Sequence, residues 1–136
     1  MQIAIVNADG NGYRQVTNDK FFDIAPAWSP DGTSLVYASY RGPAKDAHGN
    51  AIDPLHANGW ALVRVDLATG DQHVVWTAPA GPILDPVWAP DGRSVAFVAS
   101  VAPGLPVSVY RADLATGHVS AVQLDDDRAD LAVDWR

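Results

Sequence analysis

The sequence predicts an all-β chain built from repeated four-stranded antiparallel sheets, and three observations carry that prediction. "PAWSPDG" at residues 26–32 returns sixty residues later as "PVWAPDG" at 86–92, with Thr17 falling on Thr77 and Gly10 on Gly70 in the same register. "DLATG" at 66–70 returns at 113–117, a shorter step that also carries Trp88 onto Trp135. Between these turn signals lie short runs of branched and aromatic residues, the composition of a pleated, half-buried surface. A period of roughly 40 to 50 residues with strand content points to propeller blades rather than helical solenoids. The difference between the two steps sits in "RGPAKDAHGNAIDPLHANG", residues 41–59, an insertion into one copy.

In chain order the expected units are residues 1–22, two strands of a partial blade, and 23–78, a complete blade with the insertion 41–59. They are followed by 79–125, a second complete blade, and 126–136, the first strand of a further one. Within a complete unit "PDG" is a turn: proline presets φ, aspartate bonds nearby amides, and glycine accepts a positive φ. Strand two follows as "SLVYASY" or "RSVAFVAS", strand three as "WALVRVDL" or "VSVYRADL", and strand four as "QHVVWTA" or "HVSAVQL". A four-stranded meander cannot cover both of its apolar faces alone, so neighbouring units stack face to face. Trp28, Trp88 and Trp135, each just before the turn or at the chain's end, are expected as wedges between units. Asp31, Gly32, Asp91 and Gly92 are expected as structural turn residues. Burying an indole is worth on the order of 4 to 6 kcal/mol at most. Trp60 and Trp76 fall outside this register.

Composition narrows the function classes. The chain has 136 residues, 48% of them hydrophobic, and a formal charge of -7. That charge argues against nucleic acid or an anionic membrane surface, because phosphate binding needs a basic face. With no cysteine there is no disulfide, thiolate nucleophile or cysteine-ligated zinc. No run of 18 apolar residues occurs, so no membrane insertion is expected. "MQIAIVNADG" lacks the basic start and long apolar core of a leader. The compartment is read as periplasmic or extracytoplasmic if a leader was removed, and cytoplasmic if Met1 is the native start.

Antiparallel strands place the strand-two-to-three loops and the loops between units on one rim. This gathers the insertion 41–59, the linkers 18–24 and 78–85, and "DDDRAD" at 125–130, and marks a partner-binding surface of Asp46, His48, Asp53, His56, Asp85, Asp125, Asp126 and Asp127. The His48/His56/Asp46/Asp53 spacing matches no zinc pattern, and the aspartates 125–127 lack calcium-loop geometry, so no metal and no cofactor is assigned. No G-x-S-x-G is present; Ser29, Ser39 and Ser100 sit in repeat or strand contexts, and no catalytic residue is assigned.

The pattern W-[SA]-P-D-G-x-x-[LVI]-x-[FY] followed by D-L-A-T-G resembles the TolB-type, WD40-like (PD40) propeller repeat. The opening "IAIVNADGNGYRQVT" is similar to that family's third and fourth strands. The resemblance covers almost the whole chain apart from 41–59. It implies a non-catalytic protein-protein interaction scaffold, with an arc of a six-bladed ring as its architecture. The alternative is the gating propeller of a prolyl-oligopeptidase-type serine peptidase lacking its hydrolase domain; a ligand-binding or lyase-type propeller is a third reading. About eleven strands cannot close a ring of about four or more blades. The chain is therefore expected either to be part of a longer protein or to self-associate, two copies closing one ring through complementary terminal strands.

Overall fold

The computed structural model describes residues 1–122. Ten strands run in order: β1 (Ala4–Ile5), β2 (Arg14–Gln15), β3 (Phe22–Trp28), β4 (Ser34–Tyr40), β5 (Trp60–Asp66), β6 (Gln72–Thr77), β7 (Ala80–Trp88), β8 (Ser94–Ser100), β9 (Ser108–Asp113) and β10 (Val119–Ala121). They form a two-stranded sheet β1-β2 and two four-stranded antiparallel meanders, β3-β4-β5-β6 and β7-β8-β9-β10. These are blades one and two of the repeat, and every neighbouring pair is antiparallel. No helix among the described residues is long and apolar enough to cross a membrane.

The turns explain the repeat. In the first, Gly32 N–H donates to Ser29 O and Ser29 N–H to Ser34 O. In the second, Gly92 N–H donates to Ala89 O and Ala89 N–H to Ser94 O. Gly32 and Gly92 sit at φ of 71° and 70°, a region closed to most side chains. The two "DLATG" turns close the same way, Gly70 donating to Asp66 O and Gly117 to Asp113 O, both at 2.8 Å.

Both β4 and β8 are buried at all seven positions, and the alternating side chains of β4 face a sheet on each side. From β4, Leu35 and Tyr37 join Ile3, Ala61, Val63 and Val65 in a core against β1-β2. Val36, Ala38 and Tyr40 face the other way and join Trp60, Leu62, Ile83, Trp88, Val95, Phe97 and Tyr110 between the two blades. Trp76 extends that boundary outward, its ring 5.2 Å from Phe97 and 6.2 Å from Tyr110. Face-to-face stacking of sheets is thus what builds the core.

Two expectations need correction. The linker 78–85 is largely strand and 18–24 ends in one, since β7 starts at Ala80 and β3 at Phe22. Prolines and acidic residues hid them: each strand is broken by a bulge whose extra residue, Ala25 (φ 52°) or Asp85 (φ 46°), precedes a proline. Trp28 is no core wedge, being 54% exposed against 6% for Trp88. Trp88 finds an acceptor on the preceding blade's first strand, its Nε1–H donating to Ala27 O at 3.1 Å. On the corresponding side of Trp28 stands the two-stranded sheet β1-β2, which has no first strand among the described residues to offer one. The expectation for Trp135 lies outside the described residues.

Candidate functional rim

The insertion 41–59 is a built loop. Its neck closes where Arg41 N–H donates to Gly59 O at 2.8 Å. The fit there is close: a Cβ on Gly42 would fall 2.6 Å from the Tyr40 hydroxyl, and one on Gly59 3.0 Å from Gly42 backbone. Beyond the neck, Ile52 N–H donates to Ala44 O and Asp46 N–H to Asn50 O, which makes a small hairpin with Lys45 opposite Ala51. A 3-10 turn, Pro54–His56, follows, with Asp53 as its cap accepting from Leu55 N. The fully buried Trp60 then pins the loop to the blade through Nε1–H to Pro54 O at 2.9 Å.

Each carboxylate the sequence singled out here holds the loop itself. Asp46 Oδ1 accepts from the amides of His48 and Asn50, both at 2.9 Å, and the Asn50 amide bonds pull its carboxyl below the usual range. Asp53 lies 2.7 Å from His56 Nδ1; that contact first, then the Leu55 amide, lowers its carboxyl as well. The His56 and Asp53 side chains are 84% and 59% exposed. The structure therefore pairs Asp53 with His56, keeps Asp46 and His48 in a separate turn, and puts Asp85 on the exposed side of the β7 bulge. No group of three His, Cys, Asp or Glu side chains suited to a metal forms among the described residues. Asp125, Asp126 and Asp127 lie outside those residues.

The insertion and the start of blade two do meet on one rim. Gly81 N–H donates to Asn58 Oδ1 and Ala78 N–H to Trp60 O, while Ile52 and Ala57 pack on the inter-blade core. Leu55 is left 46% exposed. The rim is thus rigidly based, with an apolar and imidazole tip.

At the opposite end of the strands the two "PDG" turns flank a cleft of about 380 Å³, lined by Asp31, Arg64, Trp88 and Asp91 among others. Asp31 Oδ1 accepts from Ser29 Oγ, Thr33 N and Thr33 Oγ1; Ser29 first, then Thr33, holds this carboxyl at about 2. Arg64 reaches Ser34 Oγ at 3.2 Å and lies 5.8 Å from the Trp88 ring centre. Arg111 repeats the contact on Ser94 Oγ at 3.0 Å. An arginine-serine contact that recurs in both blades ties strand three to strand two, and sequence reading had passed over both arginines although "VRVDLATG" and "YRADLATG" align them.

With the geometry in place, likeness to known proteins can be read. No protein-family profile matches the chain. A TolB homolog of Chlorobium chlorochromatii is 30% identical over 68% of this chain, and one of Chlorobium luteolum is 31% identical over 80%. The crystal structure of TolB from Acinetobacter baumannii covers 98% of this chain with a TM-score of 0.67 at 24% identity. This is a TolB-like β-propeller chain. The TolB-like chain spans 27% and 30% of the length of those two curated relatives, and 28% of the Acinetobacter structure. Its blades also resemble the β-propeller domain of the Trilobed protease from Pyrococcus furiosus, with a TM-score of 0.58 at 20% identity over 88% of this chain.

Proposed function

We propose that this TolB-like chain is a non-catalytic interaction scaffold that presents its insertion rim to a protein partner. One observation carries the reading: the insertion is anchored at its neck, at Trp60 and at Gly81, yet its tip of His48, Leu55 and His56 faces solvent. A preorganised exposed loop on a rigid sheet is the arrangement binding surfaces favour. The test is site-specific photo-crosslinking in the native host from His48, Leu55 and, on the opposite end, Thr69. A defined adduct from the two insertion positions that is missing from Thr69 supports the reading. Equal labelling from all three sites, or none from the insertion, overturns it.

Self-association belongs to the same proposal, with the exposed face of Trp28 as its contact. The peptidase-propeller alternative rests on likeness to the Trilobed protease domain, which is a likeness of fold. A G-x-S-x-G segment in the same reading frame would favour it.

A further inference from the structure

The register that aligns the two blades also shows where their buried positions differ in polarity. Three positions that pack a blade against the sheet before it are Ile83, Phe97 and Ala99 in blade two, all 0% exposed and apolar. Their counterparts in blade one are Asp23, Tyr37 and Ser39, also 0% exposed. One boundary is therefore apolar while the other, between β1-β2 and blade one, carries a buried carboxylate and a phenol.

This cluster is incompletely bonded. Ser39 Oγ donates to Asp23 Oδ1 at 2.6 Å, and Thr17 Oγ1 accepts from Ile3 N at 2.9 Å. Asp23 Oδ2, Tyr37 Oη and Arg41 Nε have no hydrogen-bond partner among the described residues. A buried polar atom without a partner destabilises the fold, more so when charged. We propose that this polar seam is a proton-controlled boundary: sheet β1-β2 seats on blade one when Asp23 is protonated and lifts away more readily when it is ionised. The apolar boundary between the blades has no such control.

The charged groups acting on Asp23 are Asp19, on the segment before β3, and Arg41, just after β4; Ser39, Thr17 and Tyr37 complete its surroundings. Burial raises the Asp23 carboxyl, and the bond from Ser39 with the nearby Thr17 hydroxyl only partly offsets it. A raised folded-state value means that the stabilisation is complete below the unfolded value of about 3.9 and is lost as pH rises through the folded one. Ionisation thus loosens the seam as conditions become less acidic.

The experiment is hydrogen exchange of the full chain, read by mass spectrometry on the peptide covering residues 1–17, at pH 4 and pH 8 with intrinsic rates corrected. Protection of that peptide falls several-fold between the two pH values, while β8 within blade two stays protected. Asp23→Asn removes the pH dependence. The triple change Asp23→Ile, Tyr37→Phe, Ser39→Ala rebuilds the apolar boundary and raises protection at pH 8 above that of the native chain. A native profile flat with pH, or an Asp23→Asn variant that keeps the slope, overturns the proposal. Should the triple variant fail to fold, the Asp23→Asn comparison still decides.

Discussion

Trp28 and Trp88 occupy the same place in two copies of one motif, and their substitution separates sequence equivalence from physical equivalence. Trp88 is 6% exposed, donates to Ala27 O and sits over Arg64. Replacing it with alanine removes a buried indole and leaves a cavity, a loss of about 3 to 5 kcal/mol. Trp28→Ala, at 54% exposure, is expected to stay within about 1 kcal/mol. Urea titrations of the two variants read the difference; equal midpoints would mean that the assigned packing is wrong. Asp31 adds a pH dependence at the same turn. Its carboxyl, held at about 2 by Ser29 and Thr33, contributes stability that is present above the unfolded value and lost as pH falls through about 2. Asp31→Asn should flatten that part of an acid titration followed by circular dichroism. The motif was legible in sequence; the fate of Trp28 was not, because a repeat reports which residues correspond and is silent about which neighbour each one meets. The polar seam could have been found by the same slide, which sets Asp23 against Ile83 and Tyr37 against Phe97.

Among the elements, the first strands β3 and β7 were the hardest to foresee and the second and third strands the easiest. "SLVYASY" and "RSVAFVAS" announce strands through branched and aromatic runs, whereas "FDIAPAW" and "AGPILDPVW" carry prolines and aspartates that read as linker. The bulge resolves the conflict by taking the residue before Pro26 or Pro86 out of the ladder, at a positive φ. At Ala25 that conformation strains a Cβ by about 1 to 2 kcal/mol, while glycine would give back roughly 0.5 to 1 kcal/mol in chain entropy. Ala25→Gly should therefore raise stability by up to about 1.5 kcal/mol, seen as a higher denaturation midpoint with an unchanged slope. The insertion offers a second test. Trp60→Phe deletes the Nε1–H to Pro54 O and should speed limited proteolysis at Leu55–Asn58, with cleavage elsewhere unaltered. Its boundaries could be read from the mismatch between the two repeat steps. Its internal hairpin and capped turn could not, since Gly, Pro and Asn signal turns without saying how they pack.

At the scale of the whole molecule, one stacking rule accounts for the core: each blade presents the odd positions of its second strand to the sheet before it, and blade one presents the even positions to the sheet after. Val95, Phe97 and Ala99 meet blade one in this way, and Leu35 and Tyr37 meet β1-β2. The same rule identifies the surface beside Trp28 as one shaped for a first strand. At the boundary between the blades that place is filled by Ala27, whose carbonyl takes the Trp88 indole; at Trp28 the described residues supply no counterpart, and the indole stays half in solvent. An exposed indole beside an unpaired strand edge favours association. The chain should therefore sediment as larger species with rising concentration. Trp28→Glu, which puts a charge on that contact while leaving the inter-blade core untouched, should shift it toward the monomer with little change in its unfolding midpoint. If native and variant chains both sediment as the same single species throughout, the Trp28 face is no contact, and the stacking rule ends at the sheets this chain supplies.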